Sequence, residues 1–301
     1  MQPKFYGVIV PFITPFKEDY SIDFEAVKWL ANYQANKGVH GIFPNSTTGE
    51  FVHLRLREAV ELVEAVIDEV SGKVKIIPGI SSNCTEHAVE LGLKMRDLGV
   101  DGVIITPPFF FKIGGERLKL HFGKVAEKLD LPIIVYNIPA ATGFNIPVEL
   151  YVELAVEYDN IAGAKVTYDS VAYLRKLIRE VKNVRKDFSV LTGLDSLMLY
   201  TLMMGGDGGI MALANVAPQI HLEVYNAWIS GDLDGAYKAF KKLLKLVQIY
   251  DVASSFPTAV KTALKLINAP VKPYVRPPLT PETPEIEEEI KNILLELNLV
   301  Q

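Results

Sequence analysis

What most constrains this chain is a recurrent alternation. Short apolar runs, mostly unbroken by polar residues, recur along it, and each is followed by a longer amphipathic stretch. The runs span 7–13, 39–44, 74–80, 101–106, 132–136, 161–165, 188–192 and 208–212. A strand covered on both faces reads as continuous Val, Ile and Leu, whereas a half-exposed one alternates apolar with polar. The intervening stretches carry helical periodicity. In 57–70, Val60, Val63, Ala65, Val66, Ile67 and Val70 gather on one side, and Arg57, Glu58, Glu61, Glu64, Asp68 and Glu69 supply the wet side. Eight such strand–helix pairs over residues 1–220 predict the α/β class and a (β/α)8 TIM barrel. A doubly wound open sheet is the competing arrangement. It calls for a G-x-G-x-x-G turn after the first strand, where this chain has Thr14-Pro15-Phe16. Beyond residue 220 the strands stop. Segments 221–230, 233–250, 257–268 and 283–298 read as helices, so 221–301 is expected to be a C-terminal helical region. The prolines of 269–284 read as an ordered connection.

Composition narrows the function classes. The chain has 301 residues and a formal net charge of −5, so nothing electrostatic points to nucleic acid or an anionic membrane. Its one cysteine, Cys84, rules out an intrachain disulfide and a cysteine-based zinc site. No secretory signal opens the chain, and no apolar run reaches the roughly 20 residues of a membrane span. A cytoplasmic protein acting on a small molecule is the expectation.

Barrel enzymes carry their chemistry at the carboxyl ends of the strands. Lys165 closes the sixth run, in Ala162-Gly163-Ala164-Lys165-Val166-Thr167. A lysine there points into the barrel mouth with small neighbours around it. Desolvation would favour its free amine, the form that attacks a ketone. Read alone, a lysine is more often a solvated loop residue, and it is the strand-end position that raises the chemical reading. Tyr136 closes the neighbouring fifth run and offers a phenol for proton transfer, although an interior aromatic filling a barrel layer has the same signature. Ser46-Thr47-Thr48-Gly49-Glu50 follows the second run. Adjacent hydroxyls and backbone N–H groups can hold a carboxylate there, or can simply start the next helix. The glycine-rich 205–209 lies before the eighth strand and reads as a tight turn. The histidines (His40, His53, His87, His121, His221) show no metal-binding spacing, so no metal or other cofactor is expected.

Together these residues resemble a known family. Thr47-Thr48-Gly49-Glu50, Tyr136-Asn137-Ile138-Pro139 and Gly163-Ala164-Lys165, in this order, are similar to the dihydrodipicolinate synthase / N-acetylneuraminate lyase family. The likeness extends to the opening strand from Gly7 to Pro15, to Gly193-Leu194-Asp195, and to Pro257–Leu279. The resemblance implies an imine between Lys165 and a 2-keto acid, with Tyr136 as proton shuttle. It also implies Thr47 and Thr48 around the keto-acid carboxylate, Thr48 more directly, and a homotetramer.

Departures from the synthase pattern bear on the substrate. An arginine in Tyr-Asn-x-Pro-x-Arg grips the synthase's second carboxylate, and Ala141 stands in its place here. The inter-subunit tyrosine after the fourth strand is replaced by Phe110. The stretch Pro139–Gly143, with Thr167 two residues past the lysine, is similar to archaeal-type 2-keto-3-deoxygluconate aldolases. Ser46 and Glu50, however, sit less well with that pattern. Thr167 and Asp195 are the expected contacts to sugar hydroxyls, with Gly193 and Ile210 completing the substrate-binding set. The leading expectation is a metal-independent, Schiff-base aldolase that cleaves a 2-keto-3-deoxy sugar acid to pyruvate and an aldehyde. Dihydrodipicolinate synthase, a deoxy-sugar-acid dehydratase and a non-catalytic binding barrel stay open.

Overall fold

A computed structural model describes residues 3–70 and 72–300. Met1, Gln2, Ser71 and Gln301 lie outside the described residues, among them the outermost bounds of the two segments read from the sequence. The strands are β1 (Gly7–Pro11), β2 (Gly41–Phe43), β3 (Lys75–Ile76), β4 (Val103–Ile105), β5 (Ile133–Asn137), β6 (Ile161–Val166), β7 (Ser189–Thr192) and β8 (Gly208–Ile210). They form one sheet in the order β3-β2-β1-β8-β7-β6-β5-β4. Pairing is parallel from β4 through β8 and between β1 and β2. The remaining edge is joined as well: Asp101 N–H donates to the Ile76 carbonyl, Ile104 N–H to Pro78, and Ile80 N–H to Ile104. With helices following the strands, this is the expected (β/α)8 TIM-barrel-like fold with additional C-terminal helices.

The ladders are shorter than the apolar runs that announce them. The run 74–80 pairs as a strand only over Lys75–Ile76, since Pro78 has no N–H to donate and offers its carbonyl alone. The helix predicted over 57–70 spans Leu56–Val70, but its buried stripe is Ala59, Leu62, Val63, Val66 and Val70. Val60, Ala65 and Ile67 flank that stripe half-buried. The strict i, i+3, i+4, i+7 series starting from Ala59 therefore marks the true inner face.

Two compact units divide the described chain. One contains residues 3–7 and 76–210, the other 8–75 and 211–300. In the first unit, Phe5 N–H donates to Ser189 Oγ at 3.0 Å, which seats the N-terminal segment against β7. The helix Val171–Val184 is started by Ser170, whose side chain accepts from Tyr173 N–H, and it buries Leu174, Leu177, Ile178 and Val181. In the second unit, Asp23 caps Phe24–Lys37, and the C-terminal helices are Pro218–Ser230, Leu233–Val247, Ile249–Val252, Phe256–Leu266 and Pro284–Glu296. Among the described residues no helix is long and apolar enough to cross a membrane.

Candidate active site

The parallel register places two candidate residues of the first unit side by side. Tyr136 on β5 pairs in register with Lys165 on β6, and Lys165 with Leu191 on β7. Side chains of register partners point to the same face, so Tyr136 and Lys165 emerge together near the carboxyl ends of their strands. Lys165 is 3% exposed, and its Nζ lies 4.1 Å from the centroid of the Tyr136 ring. Burial brings its pKa down to about 7, and the charge of buried Asp195 opposes that shift only in part. A large fraction of free amine is therefore present at neutral pH. Its position over an aromatic face keeps some stabilisation for the ammonium form.

Thr167 stands two residues beyond the lysine, and its Oγ1 is 3.0 Å from the Tyr136 hydroxyl, where either oxygen can donate. Gly193, just after β7, makes room for this arrangement. A Cβ there would lie 1.9 Å from Thr167 Oγ1 and 3.0 Å from Lys165 Cε. Its N–H donates to the Val166 carbonyl at 2.7 Å, which holds the bare backbone against β6. Asp195 is buried in the short turn that follows, and Ile210 is buried at the last position of β8. The phenol, amine, threonine hydroxyl and glycine thus form one connected group, and Asp195 reaches it electrostatically.

Thr47 and Thr48 belong to the other unit, in a turn after β2. Ser46 Oγ accepts from Gly49 N–H at 2.9 Å and donates to the Phe12 carbonyl at 3.0 Å. Thr14 Oγ1 donates to the Gly49 carbonyl at 2.6 Å. A Cβ on Gly49 would sit 2.4 Å from the Phe12 carbonyl oxygen, so this position takes only glycine. Ser46 is thereby a scaffold for the turn, while Thr48 is buried and Thr47 half-buried between the anchors.

Several motif residues turn out to be supports. Asn137 donates to Asn145 Oδ1 at 2.8 Å and accepts from Ile146 N–H at 3.1 Å, closing the loop that follows Tyr136. The sequence marked Asn137 through its motif but carried no sign of this local clasp. Glu50 is buried and paired with Lys261, a partner that spacing could not reveal. Ala141 is exposed on the short helix Pro139–Thr142, and Phe110 is 79% exposed beyond β4. The histidines His40, His53, His121 and His221 are engaged with Val8 N–H, Glu50, Thr85 and the Ala217 carbonyl respectively.

Comparison with known proteins identifies the family. Residues 4–297 match the dihydrodipicolinate synthetase family. An uncharacterized DapA-like lyase of Thermofilum pendens is 66% identical, with 99% of each chain covered. A probable 2-dehydro-3-deoxy-D-pentonate aldolase of Escherichia coli is 36% identical over 97% of each chain. A 4-hydroxy-tetrahydrodipicolinate synthase of Methanocaldococcus jannaschii is also 36% identical, over 98% of this chain and all of the other. The crystal structure of YagE from Escherichia coli, a prophage protein of the dihydrodipicolinic acid synthase family in complex with pyruvate, superposes with a TM-score of 0.96. It is 34% identical, with 98% of this chain and 99% of the other covered. With the family matched almost end to end, the chain belongs to the dihydrodipicolinate synthetase family and is one of its class I lyases.

Proposed function

We propose that this lyase is a Schiff-base aldolase that reversibly cleaves a 2-keto-3-deoxy sugar acid of the 2-keto-3-deoxygluconate type to pyruvate and an aldehyde. The observation that carries the reading is Lys165, buried against the Tyr136 ring with its pKa near 7. Its free amine adds to the ketone carbon to give a carbinolamine, and loss of water leaves an iminium ion. Loss of the proton from the hydroxyl on C4 lets the C3–C4 bond break. Its electron pair moves into the iminium as an enamine while C4 becomes the departing aldehyde. Protonation of the enamine carbon and addition of water then release pyruvate and restore the amine. Tyr136 shuttles the protons, with Thr167 as its hydroxyl neighbour. In this reading Thr47 and Thr48 hold the keto-acid carboxylate. Thr167 and Asp195 face the sugar hydroxyls, and Gly193 and Ile210 shape the wall.

Ala141 in place of an arginine favours a hydroxylated second half over a carboxylate-bearing one, because a carboxylate brought into a pocket without a cation is costly. We propose further that the enzyme works in the cytoplasm as a homotetramer, with residues 1–220 forming the barrel and 221–301 the helical appendage. Borohydride reduction in the presence of pyruvate is expected to leave a pyruvate-derived adduct on Lys165 by peptide mass spectrometry. An adduct on another lysine, or none, would overturn the mechanism. A panel of 2-keto-3-deoxy acids read by pyruvate release identifies the substrate class. Consumption of aspartate semialdehyde with pyruvate would assign synthase chemistry in its place.

A further inference from the structure

The turn carrying Thr47 and Thr48 is bounded by two non-glycine residues in the left-handed region, Asn45 at φ 53° and Glu50 at φ 59°. Such backbone is strained for a residue with a side chain and persists only where surrounding contacts hold it. Asn45 is held by donating to the Ala59 carbonyl at 3.2 Å. Glu50 is held from much farther along the chain. Its Oε1 accepts from Lys261 Nζ at 2.6 Å, and its Oε2 accepts from the Arg276 backbone N–H at 2.9 Å. The His53 ring stands 3.2 Å from the same Oε2.

The partners are themselves built in. Lys261 is fully buried, donates also to the Tyr274 carbonyl at 2.8 Å, and lies 4.3 Å from the Phe16 ring centroid. The Arg276 guanidinium packs on the same ring at 4.5 Å, pairs with Glu58, and donates to the His53 and Tyr20 carbonyls. Two carboxylates and two cations thus balance, with Glu50 and Lys261 wholly out of solvent. A buried pair of this kind is weak evidence for stability, since well-packed apolar residues would do as well or better. What it supplies to this turn is position, since Lys261 holds one carboxylate oxygen of Glu50 and the Arg276 N–H the other.

We infer that Lys261 and Arg276 are positioning residues for the keto-acid subsite: through Glu50 they fix the turn that presents Thr47 and Thr48, making the C-terminal segment part of the site's specificity apparatus. The inference rests on the reading above that this turn holds the carboxylate. Its test compares the intact enzyme with the double variant Glu50→Gln/Lys261→Met, which removes both charges at nearly constant size, and with Glu50→Asp, which keeps the charge but withdraws it by one methylene. Pyruvate trapping on Lys165 is titrated by intact mass. The half-saturating pyruvate concentration is expected to rise about tenfold or more, since misplacement of a positioned group by about 1 Å can cost on the order of 100-fold. The adduct yield at saturating pyruvate should be unchanged. An unchanged half-saturation overturns the inference, and so does a parallel fall in saturating yield, which would signal general collapse. If the double variant does not fold, Glu50→Asp is judged by the same two readings. Failure of the unaltered enzyme to trap pyruvate would instead overturn the reading of the site itself.

Discussion

At the scale of single residues the site depends on one absence and one displaced equilibrium. The absence is the side chain of Gly193. With a Cβ at 1.9 Å from Thr167 Oγ1, Gly193→Ala must push Thr167 away from the Tyr136 hydroxyl or move the backbone bonded to Val166. A loss of kcat/KM of about 100-fold is expected in steady-state pyruvate release, from displacement of aligned catalytic groups by about an ångström. Near-wild-type activity would show that the tyrosine–threonine contact is dispensable. The displaced equilibrium is the proton on Lys165. Only the free amine attacks, so lowering the pH below its pKa of about 7 removes the nucleophile. The rate of imine formation is therefore expected to fall about tenfold per pH unit well below 7 and to level off above it, measured by single-turnover trapping across pH. A limb near the ordinary lysine value would contradict the role of burial. Lys165 and Tyr136 could be singled out in the sequence because strand ends in a parallel sheet converge by construction, whereas Thr167 was picked out through resemblance. Gly193 was marked only by resemblance, and the steric reason for it arises only in the folded chain, where Thr167 and Lys165 close on it.

At the scale of elements, the eight strands and the four main C-terminal helices were legible, because unbroken apolar runs and helical periodicity are local signals. The ladders came out shorter than the runs, as at Pro78, where the missing N–H interrupts the regular ladder although backbone bonding continues to Ile80. The helix Phe256–Leu266 was read as a helix over 257–268, but its burial was not legible. Every residue from Pro257 to Leu264 is buried, including Lys261, so its lysine does not mark a wet face. Lys265, one turn later, is exposed and pairs with Glu287, as a helical lysine ordinarily does. The distinguishing sign was present in the sequence as a lysine inside Thr258-Ala259-Val260 and Thr262-Ala263-Leu264. Its partner was not, since an ion pair across 211 residues leaves no periodicity.

At the scale of the molecule, the second compact unit is assembled from both ends of the chain, residues 8–75 and 211–300. A chain ending at Ser255 would keep every residue assigned to chemistry and still lose Lys261 and the Arg276 N–H. Leaving a buried carboxylate without its partner costs about 3–5 kcal/mol, a large part of an ordinary domain's 5–15 kcal/mol. Such a truncation is expected to lose its near-UV circular dichroism and cooperative urea transition, and a sharp melt like that of the intact protein would refute this. The same long-range clasp acts on biosynthesis. At about 5–20 residues per second, Glu50 leaves the ribosome roughly 10–40 s before Lys261 does. Until Lys261 and Arg276 have emerged, the nascent polypeptide carries a carboxylate destined for burial without its long-range partners, and the turn from Ser46 to Glu50 can take its final shape only once the helix Phe256–Leu266 and the segment through Arg276 have been made.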